Sequence, residues 1–259
     1  MPIDCHIHST ISSDAASSVD EVCRAAVKKG FSTVCFTEHV DWNPTDTNYR
    51  FYDPGRYDAE IGRARASFGN KIEILQGIEF SEPHLYPREF EEASRRKYDF
   101  ILASVHAFQG TWAGAEDVRQ KYSIDEIFEM HYVETLRMVQ FGGFDSLAHM
   151  DFPRKYISDY REPAGLIDPI LSELIRSNIA LELNSSPLRK GMDFCLPSPA
   201  ILGGYAQLGG KSVTVGSDAH HAEEIGSGND HLAVQISSHQ LEPVVFRGRK
   251  SFPVAPGAY

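Results

Sequence analysis

A chain of 259 residues, 42% of them hydrophobic, can bury a sizeable core without disulfide staples. Its 25 Lys and Arg against 36 Asp and Glu leave a formal charge of −11. That balance disfavours nucleic-acid backbones and anionic membranes, though not a small anionic substrate. No apolar run approaches a membrane span, Met1-Pro2-Ile3-Asp4 lacks a signal-peptide pattern, and a cytoplasmic location is expected.

The first predicted strand is Ile3 to Ile7, followed by a Ser-rich turn that carries Asp14. A helix opens at Ser18, which with Glu21 makes a capping box, and stops at Gly30. Strand two, Thr33 to Phe36, runs into Thr37-Glu38-His39, and a helix covers about Arg56 to Phe68. Strand three, Ile72 to Gln76, ends in Gly77-Ile78-Glu79, and a helix spans Pro87 to Arg96. Strand four, Phe100 to Ala103, ends in Ser104-Val105-His106. The long segment Ala107 to Tyr122 reads as a mobile lid. A strong helix runs from the Ser123 cap to Phe141. Strand five, Phe144 to Ala148, ends in His149-Met150-Asp151. A helix over Pro163 to Ser177 leads to strand six, Ile179 to Leu183. A helix near Ser198 to Leu208 precedes strand seven, Ser212 to Val215, which ends in Gly216-Ser217-Asp218-Ala219-His220. One more short helix and a final strand at Val244 to Phe246 close the chain.

Short β-branched runs alternating with helices imply a parallel sheet covered on both faces. No linker-like break divides them, so residues 1–259 are expected to form one domain. A closed or nearly closed β/α barrel fits best, with a doubly wound open sheet as the alternative. The chain has no G-x-G-x-x-G and no P-loop. Cys5, Cys23, Cys35 and Cys195 form no C-x-x-C pair and read as free thiols, three of them buried.

Ligand-type residues stand at nearly every strand end: His6, His8, Glu38, His39, Glu79, His106, His149, Asp218 and His220. Each alone is as well explained by a hydrogen-bonded rim position. In a parallel barrel, however, these ends share one mouth. So many imidazoles and carboxylates there need cations, and a cluster of divalent ions resolves the charge. His131 falls mid-helix, where a surface or packing role is expected, and Asp4 and Asp145 read as structural.

The ordered set H-x-H, T-E-H, a Glu after strand three, S-V-H, A-H-x-D and S-D-A-H resembles the polymerase and histidinol phosphatase (PHP) superfamily. The resemblance covers Pro2 to about His220. It implies a distorted (β/α)7 barrel with three divalent metal ions at the C-terminal ends of the strands. One ion would be held by His6, His8, Glu79 and Asp218. A second would be held by Asp14, His39 and His220, where some relatives have His in place of Asp14. A third would be held by Glu79, His106 and His149, with Glu79 bridging. Imidazole and carboxylate donors without thiolate suit zinc, manganese or iron.

Such ions would activate water and neutralise a phosphoryl group, so no protein nucleophile is required. Asp218 and His220, or a metal-bound water, would protonate the leaving oxygen. Glu38 is expected to be structural. Arg154, Arg189 and Lys190 on two strand-end loops are the expected phosphate-binding side chains. The two loops resemble those of the histidinol-phosphatase branch, implying a phosphomonoesterase for L-histidinol phosphate in histidine biosynthesis. Asp41, Trp42, Glu82 and Asp151 would then face the cationic end of that substrate. The alternatives are a PHP phosphoesterase for another small sugar or nucleotide phosphate, and a non-catalytic PHP scaffold. The filled ligand positions argue against the scaffold.

Overall fold

The computed structural model describes residues 2–157, 159–160, 162–163 and 165–255. In chain order the elements begin β1 (Ile3–Ile7), α1 (Val19–Lys29), β2 (Thr33–Val40), α2 (Pro54–Phe68), β3 (Glu73–Ser81), α3 (Pro87–Ser94) and β4 (Phe100–Ser104). Then come β5 (Ala107–Phe108), β6 (Thr111–Trp112), α4 (Val118–Lys121), α5 (Ile124–Phe141), β7 (Ser146–Leu147) and α6 (Ile167–Ser177). The chain continues with β8 (Ala180–Asn184), α7 (Ser186–Arg189), α8 (Pro199–Gln207), β9 (Ser212–Gly216), α9 (Asn229–His239), β10 (Glu242–Arg247) and β11 (Lys250–Pro253).

The helices start where local chemistry satisfies their free N–H groups. Ser18 and Glu21 cap α1 reciprocally, and Ser123 and Glu126 do the same for α5. Gly30 ends α1 at φ 76°, a left-handed conformation that glycine adopts without a Cβ penalty. Helix α6 begins at Ile167, later than the expected Pro163, and Ala164 lies outside the described residues.

The main sheet runs β1-β2-β3-β4-β7-β8-β9-β10-β11. Neighbours are parallel throughout, except the antiparallel pair β10–β11. The open-sheet alternative fails at the C-terminal ends. There Ile7 bridges Ala219, Asp218 N–H donates to His6 O at 2.8 Å, and His8 N–H donates to Ala219 O at 2.8 Å. At the other end β10 pairs with β9 through Glu242–Ser212 and Pro243–Val213. The seven parallel strands β1–β4 and β7–β9 therefore bring β1 and the turn after β9 together at their C-terminal ends, in the barrel-type arrangement that was expected.

β2 and β3 extend beyond their predicted ends, to Val40 and Ser81. Continuous pairing between them outweighs the weak strand preference of Thr-Glu-His. Conversely, β7 contracts to Ser146–Leu147. The segment expected to be a mobile lid contains the β5–β6 hairpin and α4, and Ala113 N–H bonds His106 O at 2.8 Å. Among the described residues no helix is long and apolar enough to cross a membrane.

Candidate metal centre

Residues two apart on a strand share a face, so His6 of β1 and His8 just after it aim together, with Nε2 atoms 3.0 Å apart. Strand register pairs His39 of β2 with Glu79 of β3. His106 follows β4 and His149 follows β7, and their Nε2 atoms lie 3.4 Å apart. Asp218 and His220 leave the turn after β9. Two of these residues hold left-handed backbones, His149 at φ 23° and Asp218 at φ 56°. Such strain in non-glycine residues persists only where surrounding structure enforces it.

Glu79 is the hub. Its Oε1 lies 3.0 Å from His149 Nε2 and 3.3 Å from His106 Nε2. Its Oε2 lies 3.2 Å from His6 Nε2, 3.5 Å from His8 Nε2 and 3.2 Å from His39 Nδ1. Asp218 Oδ1 is 3.7 Å from His6 Nε2 and 3.5 Å from His8 Nε2. Asp14 Oδ2 stands 3.5 Å from both His39 Nε2 and His220 Nε2. Donors that share a tetrahedral ion at roughly 2.0–2.1 Å lie about 3.3 Å apart, so these spacings match donor sets. Overlapping groups, such as His6-His8-Glu79, His39-Glu79-His106 and His8-His39-His220, each bring donor atoms within 4.8 Å of one another. The centre therefore has the chemistry and spacing to hold metal ions.

The electrostatics agree. Burial alone would lower the pKa of His6, yet Glu182, Glu79 and Asp218 drive it well above the usual imidazole value. His106 is likewise lifted against burial, mainly by Glu79, to about 10. Burial and neighbouring imidazoles push His8 well down. Burial would raise Glu79, Asp218 and Asp14, but adjacent cationic groups hold all three low. Imidazole rings and the Lys155 side chain balance these carboxylates, a task in which divalent ions would share.

A cavity of about 550 Å³ opens above Glu79, with Trp112, Phe152 and Tyr156 on its wall and Lys155, Arg189 and Lys190 at its rim. Arg189 donates to Ser217 O and Asp218 O, so it also pins the Asp218 turn. Lys190 Nζ sits 4.7 Å from the Tyr156 ring centre. Arg154, expected at the phosphate, does not line this cavity. Its guanidinium pairs with Asp151 at 2.8 Å and lies over Tyr160 and Phe194. The next residue takes the cavity position instead: Lys155 is buried and lines the cavity, with Nζ 2.6 Å from Asp218 Oδ2.

Asp41, Trp42, Glu82 and Asp151 also stay off the cavity wall, where Asp46 and Glu224 are the acidic side chains besides Asp14, Glu79 and Asp218. Glu82 instead accepts from His106 N–H and Ala107 N–H, anchoring the hairpin. Glu38 is structural as expected, accepting from Ser9 N–H, Ser9 Oγ and Ser12 Oγ to shape the turn after β1. Asp4 accepts from Ser217 N–H and Gly226 N–H, and Asp145 from Ile101 N–H. His131 is no surface residue: it is buried, with Nε2 2.9 Å from Met150 O. Cys5, Cys23 and Cys35 are buried free thiols, and Cys195 is half-buried.

Sequence reasoning missed Glu182 of β8, whose Oε1 lies 2.5 Å from His6 Nδ1. The signal was present, since a lone carboxylate in the apolar run Ala-Leu-Glu-Leu requires a buried partner.

The PHP domain profile matches residues 4–186, a stretch that includes every centre residue except Asp218 and His220. A relative from Clostridium acetobutylicum named "Probable histidinol-phosphatase" is 26% identical, over 96% of this chain and 98% of its own length. One from Lactococcus lactis named "Histidinol-phosphatase" is 28% identical over 85% of each chain. The fold is similar to the crystal structure of the Lactococcus lactis histidinol phosphate phosphatase complexed with zinc, L-histidinol and phosphate. That likeness has a TM-score of 0.85 and 24% identity, and covers 97% of this chain and 98% of the other. The profile spans well over half of this sequence and the fold agrees, and the chain belongs to the PHP domain family.

Proposed function

We propose that this protein is a metal-dependent phosphomonoesterase that hydrolyses L-histidinol phosphate to L-histidinol and phosphate. The observation that carries the reading is Glu79, whose two oxygens face separate imidazole groups directly beneath a cavity rimmed by Lys155, Arg189 and Lys190. The names of the relatives over nearly the whole chain support the substrate.

Three donor sets are assigned in this reading, with the distances in support: His6, His8, Glu79 and Asp218; Asp14, His39 and His220; and Glu79, His106 and His149. Zinc, manganese or iron would suit them. Ions held there supply Lewis acidity, activating water near neutral pH and offsetting phosphoryl charge. Lys155 Nζ holds protons against Asp218 Oδ2 at the rim, where a phosphoryl oxygen would take charge-assisted hydrogen bonds. His220 stands at the same edge, where a departing alkoxide oxygen would be protonated, while Asp218, its carboxyl held low, stays a carboxylate. Trp112, Phe152 and Tyr156 shield the wall from water.

The test is phosphate release from L-histidinol phosphate and a panel of other phosphomonoesters, each with added zinc, manganese or iron, alongside metal analysis. Histidinol phosphate is expected to exceed p-nitrophenyl phosphate by about 100-fold in kcat/KM, the scale of discrimination that pocket contacts supply. Equal, feeble rates across the panel would remove the substrate assignment. A chain that binds no metal and gains no activity from it would remove the phosphatase.

A further inference from the structure

Glu182 lies under the centre without facing the cavity, and it is fully buried. Its two oxygens serve different clients. Oε1 takes His6 Nδ1 at 2.5 Å. Oε2 accepts the backbone N–H of His149 at 2.7 Å and the Asn184 side-chain amide at 3.2 Å. His6 and His149 belong to different donor sets of the proposed centre, and His149 is the residue with the strained φ of 23°. The neighbouring strand makes room for this arrangement: a Cβ on Gly216 would sit 2.4 Å from His6 Cβ and 2.6 Å from Glu182 Oε1.

We propose that Glu182 is a positioning residue that couples two metal sites, fixing the His6 ring for one ion and the His149 backbone for another. With Nδ1–H donated to Glu182, the His6 lone pair is left on Nε2, the atom that faces Glu79, His8 and Asp218. The same carboxylate holds the turn that brings His149 Nε2 to Glu79 Oε1. This role needs two acceptor oxygens. A glutamine has one, so it leaves either His6 Nδ1–H or His149 N–H without an acceptor, although its volume is the same. An aspartate keeps both oxygens but is one methylene too short to reach both donors.

The inference rests on reading the centre as a metal site, and the experiment separates the two. Wild type, Glu182→Gln and Glu182→Asp are stripped with chelator and titrated with zinc and with manganese. Dissociation constants, ions bound per chain and the rise in Tm at saturating metal are recorded. Glu182→Gln is expected to bind about 10- to 100-fold more weakly, the usual effect of losing such a partner, with a smaller metal-induced rise in Tm. Glu182→Asp should fall between Glu182→Gln and wild type. If Glu182→Gln keeps affinities within twofold and a full rise in Tm, whatever happens to its metal-free Tm, the coupling role is overturned. If it fails to fold even in excess metal, Glu182 belongs to the fold and the proposal is again overturned. A wild-type chain that takes up no ion overturns the metal reading itself, and this inference with it.

Discussion

At the scale of single residues, direction decides role. Arg154 and Lys155 are adjacent in a 3-10 turn spanning Phe152–Lys155, where each step rotates the side chain by about a third of a turn. One cation therefore points to Asp151, Tyr160 and Phe194, and the next to Asp218 and the cavity. Composition singled out arginine for its bidentate fork, but it carried no information on that rotation. Lys155→Met is expected to lower kcat/KM for the phosphate ester by about 100-fold, the cost of losing one charged donor at a developing charge. Arg154→Met should leave it within about threefold, a change under 1 kcal/mol. Steady-state phosphate release on both variants, at equal metal content, checks this.

At the scale of elements, α5 shows how much local pattern can say. Its Ser123–Glu126 capping box and its length were legible because both depend on neighbouring residues. The depth of its inner face was not. Burial pulls the His131 pKa down to about 3 against the opposing bond to Met150 O, so the ring stays neutral as pH falls. Above about pH 6.5 the ring is neutral whether folded or unfolded, and stability is unaffected. Below it, the unfolded chain takes up a proton that the folded chain refuses, so stability falls as pH falls. The loss is about 2 kcal/mol by pH 5. His131→Gln should flatten that slope between pH 6.5 and 5 in urea unfolding of metal-free protein. An unchanged slope would show that His131 does not set it.

At the scale of the whole molecule, the barrel is held at two ends by different means. The mouth is closed by backbone bonds between β1 and the turn after β9. The base is clamped by the tip of the β10–β11 hairpin. Arg247 forks onto Glu73 of β3, Gly248 N–H bonds Asp99 before β4, and Arg249 takes Asp145 before β7. Phe246 stacks on Phe100 with ring centres 5.3 Å apart. Arg249→Met would strand the buried Asp145 carboxylate and is expected to cost about 2–3 kcal/mol in urea unfolding. Because the base lies opposite the cavity, kcat/KM at 25 °C should not change. A loss of activity without a loss of stability would contradict the separation of the two ends.

The sequence by itself determined the alternation of strands and helices, the capped starts of α1 and α5 and most of the residues gathered in the candidate centre. These are properties of local periodicity and of residue type at strand ends. Only the tertiary structure decided that Lys155 rather than Arg154 meets the cavity, that Asp46 rather than Asp41 or Glu82 lines it, and that Glu182 stands behind His6 and His149 at once. Those outcomes depend on strand register, on left-handed turns at His149 and Asp218, and on the approach of β9 to β1 at Gly216. Contacts between residues more than a hundred positions apart are set by how the ring closes, and no local pattern in the chain encodes that closure.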